Sequence, residues 1–356
     1  MLNLLKKNLK HGGHMPLQIS LTQQFEHQQS ETWGVHFSLD GKKLVSSDGT
    51  ALYLWQFDEQ GNWDFERSLP FRNAVSPRFA PNGTMLAFRG EDEFIRLISV
   101  DGREIATLPR RVGFDCAFSP DGHWLVAGDA ARNVLLWDLF TYQLVVIPVR
   151  FPRLGDDLQG NESAPINETV RGFQFTPDGQ RFALLADSED GYLHLCYFDP
   201  TDQSLLRQKT FPHGCMDLAV SPDGTKLAAI IPTGQLYSHK EEVYLYDLES
   251  LRRLHVFPQT TNKRYCLLAF SPDSRYLASC KSDGWVDIFS LGSFGRIAQF
   301  AAHPGLSSHA SDPIGGLDWS TTGYLATGGA SVFEHDMRKT DYSIKLWKVE
   351  EVEDSR

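Results

Sequence analysis

The sequence is short of cysteine and of uninterrupted apolar stretches. Five cysteines occur in 356 residues (Cys116, Cys196, Cys215, Cys266 and Cys280), and the nearest two lie 14 apart. With no Cys-x-x-Cys pair there is no thiolate zinc site or dithiol redox motif to expect. Small buried thiols in a reducing, cytoplasmic setting are the expectation instead. No apolar run nears the ~18 residues that a membrane-crossing helix needs, so no membrane span is expected. Positive charge is also in deficit: 34 basic against 45 acidic residues give −11. Such a field opposes general adhesion to nucleic acid or to anionic membrane. Hydrophobic residues at 41% and charged residues at 22% are those of a globular chain rather than a disordered one.

Short catalytic and cofactor signatures are missing too. There is no Gly-x-Ser-x-Gly, no Gly-Lys-Ser/Thr phosphate loop, no Gly-x-Gly-x-x-Gly and no His-Glu-x-x-His. No cofactor, metal or catalytic residue is expected. Near the N-terminus, lysines interrupt the leucines of Met1–Lys10 before a secretory apolar region can form. Residues 1–14 read as a tail, or as a segment ahead of a native start at Met15.

What is present is a phrase that recurs seven times: Phe37-Ser-Leu-Asp-Gly41, Phe79-Ala-Pro-Asn-Gly83, Phe118-Ser-Pro-Asp-Gly122, Phe175-Thr-Pro-Asp-Gly179, Val220-Ser-Pro-Asp-Gly224, Phe270-Ser-Pro-Asp-Ser274 and Trp319-Ser-Thr-Thr-Gly323. The intervals run from 39 to 57 residues. Proline presets φ at the second turn position, Asp or Asn caps its own backbone, and glycine accepts positive φ. A short apolar run follows each phrase, such as Lys226-Leu-Ala-Ala229. A second run follows that one and ends in an aromatic or its substitute: Trp55, Ile98, Trp137, Cys196, Tyr246, Phe289 and Trp347. A fourth run leads back to the next phrase. Four short strands per repeat, with turn signals between them, describe one antiparallel blade.

On these residues, residues 17–349 resemble the WD-repeat family. The resemblance implies an all-β, seven-bladed β-propeller of four-stranded antiparallel blades that serves as a platform for protein contacts. Only Trp137-Asp138 carries the family's dipeptide, and the usual Gly-His pairs are missing from their expected places. The family's buried Asp is matched by Asp190, Asp283 and Asp341, with Asp48 shifted by one. Few blades are therefore expected to hold a full His–Ser–Trp–Asp network.

Leu17–Thr22 alternates apolar and polar residues, whereas the last repeat ends after its third strand near Val349. The N-terminal strand should therefore complete the seventh blade against Ser343–Val349 and remove both open edges. Residues 15–349 then form one propeller, and 350–356 an acidic tail.

Two patterns bear on function. The tight phrases should occupy one face of the disc. All four long insertions, Pro148–Arg171, Ile231–Glu242, Ala301–Gly316 and Gly329–Tyr342, fall on the other, and long loops on a rigid scaffold tend to carry function. Seven residues before the phrase, Arg72, Arg111, His213 and Lys263 recur, with Arg110 and Arg264 beside them. These should ring the channel mouth on the insertion-bearing face and attract a protein partner there, in particular an acidic peptide segment. Tyr237 and Phe333 add aromatic anchors of the kind found at interaction hot spots. The leading expectation is thus a non-catalytic interaction scaffold, one subunit of a larger complex. The alternative is a propeller enzyme, a lactone or ester hydrolase with its site at the channel mouth. His303, His309, His335, Asp312 and Asp336 of the seventh repeat are read as solvated loop residues rather than a metal or acid–base cluster.

Overall fold

A computed structural model describes residues 16–113, 115–129, 131, 133–148, 170–187, 193–202, 204–211, 217–232, 241–257, 265–304, 314–334 and 337–352. After β1 (Leu17–Phe25), the first blade comprises β2 (Gly34–Phe37), β3 (Lys43–Ser47), β4 (Leu52–Phe57) and β5 (Trp63–Leu69). The second has β6 (Val75–Phe79), β7 (Met85–Arg89), β8 (Phe94–Ser99) and β9 (Glu104–Arg111). The third has β10 (Cys116–Phe118), β11 (Trp124–Gly128), β12 (Asn133–Asp138) and β13 (Leu144–Pro148). The fourth has β14 (Val170–Phe175), β15 (Phe182–Asp187), β16 (Leu193–Asp199) and β17 (Ser204–Phe211). The fifth has β18 (Leu218–Val220), β19 (Lys226–Pro232), β20 (Glu241–Asp247) and β21 (Arg253–Phe257). The sixth has β22 (Tyr265–Phe270), β23 (Tyr276–Lys281), β24 (Trp285–Ser290) and β25 (Gly295–Ala301). In the seventh, β26 (Ile314–Trp319) and β27 (Tyr324–Gly329) are followed by a separate hairpin, β28 (Ser331–Glu334) and β29 (Met337–Thr340), and then by β30 (Ile344–Glu351).

Each of the first six blades is a meander of consecutive strands, and the pairings within all seven are antiparallel. The seventh has the order β1-β30-β27-β26, so the N-terminal strand does close the disc. It runs three residues further than its alternation suggests, from Leu17 opposite Glu351 to Phe25 opposite Ile344. Phe25 explains the extension: its ring stacks on Trp55 of the first blade at 5.0 Å, which ties the closing strand to the next blade. The first strands of the blades contact one another in a ring, β2 touching β26 on one side and β6 on the other.

The core is divided in the same way. Seven apolar clusters lie one between each pair of neighbouring blades; Leu195 and Tyr197, for example, meet Leu218 and Leu227 across blades four and five. Fully burying one such side chain contributes about 1.5–3 kcal/mol, so the sandwiches between blades hold the disc together.

The repeated phrases form the turns their composition demands. Gly41 N–H donates to Ser38 C=O at 2.8 Å, and Gly224 to Ser221 at 2.8 Å. Gly41 has φ +68°, and an added Cβ would lie 2.6 Å from the Thr321 hydroxyl of the seventh blade, so a side chain there would be strained and would force that neighbour to move. Where the sixth phrase ends in Ser274, that residue takes φ 57°. Its hydroxyl accepts the Asp223 N–H of the preceding blade, which offsets part of the left-handed cost. No helix is long and apolar enough to cross a membrane among the described residues.

Candidate functional site

The two faces are distinct in their bonding. Second-to-third connections and blade-to-blade connections share one face and are stitched together there. Asn73 N–H donates to Gly49 C=O, Gly113 to Gly128, and Ala302 to Gly284. The β28–β29 hairpin also stands on this face, within the Gly329–Tyr342 insertion.

Arg72 is exposed in the connection from β5 to β6. Arg110 and Arg111 end β9, the outermost strand of the second blade, with Arg111 paired opposite Phe94. Arg110 lies 3.7 Å from the carboxylate of Asp129, and Arg111 lies 3.9 Å from Glu93 with 70% of its side chain exposed. A pair that exposed contributes little, so Arg111 remains available to a ligand. His213, Tyr237, Lys263 and Arg264 lie outside the described residues, and Phe333 is placed by its backbone alone, opposite Arg338 in the hairpin. On the opposite, tight-turn face are the most exposed large apolar side chains among the described residues: Phe140 at 74%, Leu39 at 63% and Tyr142 at 55%.

Inside the channel, the inner strands present an unpaired edge toward the axis, whose N–H groups need acceptors. Side chains of the preceding blade supply them. Asp318 accepts Phe37 N–H at 2.7 Å, and His36 Nδ1 accepts Phe79 N–H at 3.2 Å. Gln174 accepts Val220 N–H at 3.0 Å, and Asp217 accepts Leu268 N–H at 2.7 Å. Arg78 reaches Asp115 at 3.3 Å and lies in the field of Asp318 and Asp217 as well. Burial pushes Asp217 up to about 7 and Asp318 up to about 6. It lowers His36 to about 3, helped by the charge of Arg78, so the ring stays neutral and able to accept. This belt was missed in the sequence. Its signal is the position just before each phrase, where His36, Arg78, Gln174 and Asp318 stand in otherwise apolar strands.

His303 corrects the expectation of a solvated loop histidine. It is fully buried: Nδ1 lies 3.0 Å from Asp341 and Nε2 lies 3.1 Å from Thr327 Oγ1. The Trp347 indole donates to the same hydroxyl at 3.0 Å, and Lys345 donates to Asp341 at 2.6 Å. Burial lowers the His303 pKa despite the carboxylate beside it. Burial works against ionising Asp341, but the hydrogen bonds from His303, Lys345 and Ser343 outweigh it and hold that carboxyl well below the usual range. The donors therefore run one way, from indole to hydroxyl to neutral imidazole to carboxylate. His309, Asp312, His335 and Asp336 lie outside the described residues, where Asp190 also lies. Asp283 caps Trp285 N–H; the sixth blade buries Asp287 instead, between Lys281 at 3.6 Å and Arg296 at 3.4 Å. Asp48 is buried and gathers the N–H groups of Gln29, Thr50 and Ala51.

A closed disc of seven four-stranded antiparallel blades is a β-propeller, and its seventh blade holds a His–Thr–Trp–Asp network. The WD domain, G-beta repeat family matches residues 102–138 and 252–290, within blades two to three and five to six. Two relatives are similar over longer stretches. A WD repeat-containing protein 26 homolog of Arabidopsis thaliana is 28% identical over 121 residues, 32% of this chain and 20% of that protein. A protein LST8 homolog of Drosophila melanogaster is 27% identical over 183 residues, 50% of this chain and 51% of that protein. The matched region thus spans about half or less of each relative's length. The chain is thus a seven-bladed propeller similar to WD-repeat proteins, whose propellers typically act as protein-interaction scaffolds.

Proposed function

We propose that this propeller is a non-catalytic scaffold, cytoplasmic and part of a larger complex, which binds a protein partner through its insertion-bearing face. The observation that carries this reading is the asymmetry of the disc. Short repeated turns make up one face, while the longer connections, with the β28–β29 hairpin and the exposed cations Arg72 and Arg111, make up the other. An acidic peptide segment is the ligand that such cations would recognise against the −11 background. Cys116, Cys196 and Cys280 are buried free thiols, which suits a reducing compartment.

The test compares Arg72→Glu/Arg111→Glu with Lys42→Glu/Arg103→Glu on the tight-turn face, each against partners captured by the wild-type protein and identified by mass spectrometry. The first pair should abolish capture of a stoichiometric partner, and wild-type capture should weaken as salt rises. Loss with the second pair alone would move recognition to the face of Phe140 and Tyr142.

A further inference from the structure

The rim of the disc holds a cleft between blades four and five, lined by Lys209, Tyr244, Tyr246, Arg252 and Arg253. Lys209 comes from β17, the two tyrosines from β20, and the arginines from the turn into β21 and its first residue. Aromatic faces support two of the cations. Lys209 Nζ lies 5.0 Å from the Tyr246 ring centre, and the Arg253 guanidinium lies 5.6 Å from that of Tyr244.

Other surface cations are matched by acids: Arg181 with Glu249 at 2.8 Å, Arg96 with Asp92 at 2.7 Å, and Arg275 with Asp273 at 2.6 Å. Among the described residues, no carboxylate comes within 4.0 Å of the charged nitrogens of Lys209, Arg252 or Arg253. Two acids of the same blade are held by other donors: Glu242 accepts from the Tyr244 hydroxyl at 3.4 Å, and Asp247, which lies in the field of Arg252, accepts from Ser250 N–H at 2.9 Å. Burial and the charge of Arg253 both lower the Lys209 pKa, so this ammonium gains if an anion arrives. Three converging cations exceed what one carboxylate can balance. They suit a phosphate monoester, which carries −1.5 to −2 at neutral pH and offers three acceptor oxygens, by order of magnitude. Beside the cleft, β17 and β21 are the outer strands of their blades, so β21 leaves its outer main-chain groups open to an extended segment.

We propose that this cleft is a second recognition site, distinct from the insertion-bearing face, which takes a phosphorylated side chain of an extended peptide from a protein partner. The test is binding of the full chain to an array of phosphoserine, phosphothreonine and phosphotyrosine peptides, each beside its unphosphorylated twin, followed by anisotropy titration of the best pair. Phosphorylation should tighten binding at least about tenfold. Lys209→Gln/Arg253→Gln should erase that preference while the melting temperature stays near the wild-type value. Lys209→Gln/Arg252→Gln is the second variant, should the first fail to fold. The Arg72→Glu/Arg111→Glu protein should keep the preference, which separates this site from the one above. Absence of any phosphate preference, or its persistence in both cleft variants, would overturn the proposal. So would binding confined to inorganic phosphate or to vesicles bearing a phosphorylated inositol lipid.

Discussion

His303 Nδ1 and Asp341 Oδ2 lie 3.0 Å apart although 38 residues separate them in sequence. The bond joins the connection out of the sixth blade to the connection between the second and third strands of the seventh. It thereby ties together two connections that belong to different blades. Thr327 Oγ1 is the hinge of this arrangement, because it must accept from Trp347 and donate to His303 at once.

Replacing Thr327 with valine keeps the shape and removes both bonds in a fully buried position. A buried polar group left unpaired costs about 1–3 kcal/mol, so Thr327→Val should lose about 2–4 kcal/mol by urea unfolding. Thr327→Ser should stay within about 1 kcal/mol of the wild type. Equal stability of the two variants would deny the network a structural role.

The third blade offers the converse experiment. Trp137 pairs with Leu125, as Trp347 pairs with Leu325, but Ala127 stands where the seventh blade has Thr327. The Trp137 indole N–H accordingly has no partner among the described residues. Ala127→Ser should supply one and add about 1 kcal/mol to stability, measurable as a higher urea midpoint with an unchanged slope.

Closure predicts a sharp threshold for truncation. Removing residues 1–14 should leave the melting temperature within a degree or two, since β1 begins at Leu17. Removing residues 1–25 strips the ladder from β30, uncovers that edge and empties the site of Phe25 beside Trp55. Aggregation or a fall of more than about 10 °C should follow, as expected for an open strand edge. Light scattering during a thermal ramp reads both outcomes, and matching curves for the two truncations would reject the closed disc.

Asp217 gives the pH dependence a definite sign. Its folded-state pKa of about 7 stands above the ordinary 3.8. The folded state therefore holds the proton more tightly, and that contribution to stability is lost as pH rises from 3.8 through 7. Asp217→Asn keeps an acceptor for Leu268 N–H without the buried charge. It should stabilise the protein at pH 8 by about 1–2 kcal/mol and have little effect at pH 4. A gain of the same size at both pH values would show that the carboxyl is not titrating in this range.

Much of the architecture was legible because its causes are local. Pro, Asp and Gly set the φ angles and caps of the turns within four residues, and strand alternation has a period of two, so seven phrases meant seven blades and Leu17–Thr22 meant a closing strand. Residue type at a repeat position does not reveal which neighbour it meets, and that only the tertiary structure decided. Asp283 and Asp341 look equivalent in sequence, yet Asp341 anchors a buried histidine whereas Asp283 caps the Trp285 N–H. His303 passed for a loop residue because its partners Asp341 and Thr327 lie 38 and 24 residues away. Asp217, Asp318 and Arg78 come from three blades and share a channel only after the disc has closed. Lys209 and Tyr246 likewise meet only where one blade packs against the next. Electrostatic and hydrogen-bond partners are chosen by distance in space, and in a ring of repeats that distance is fixed by closure rather than by the order of the chain.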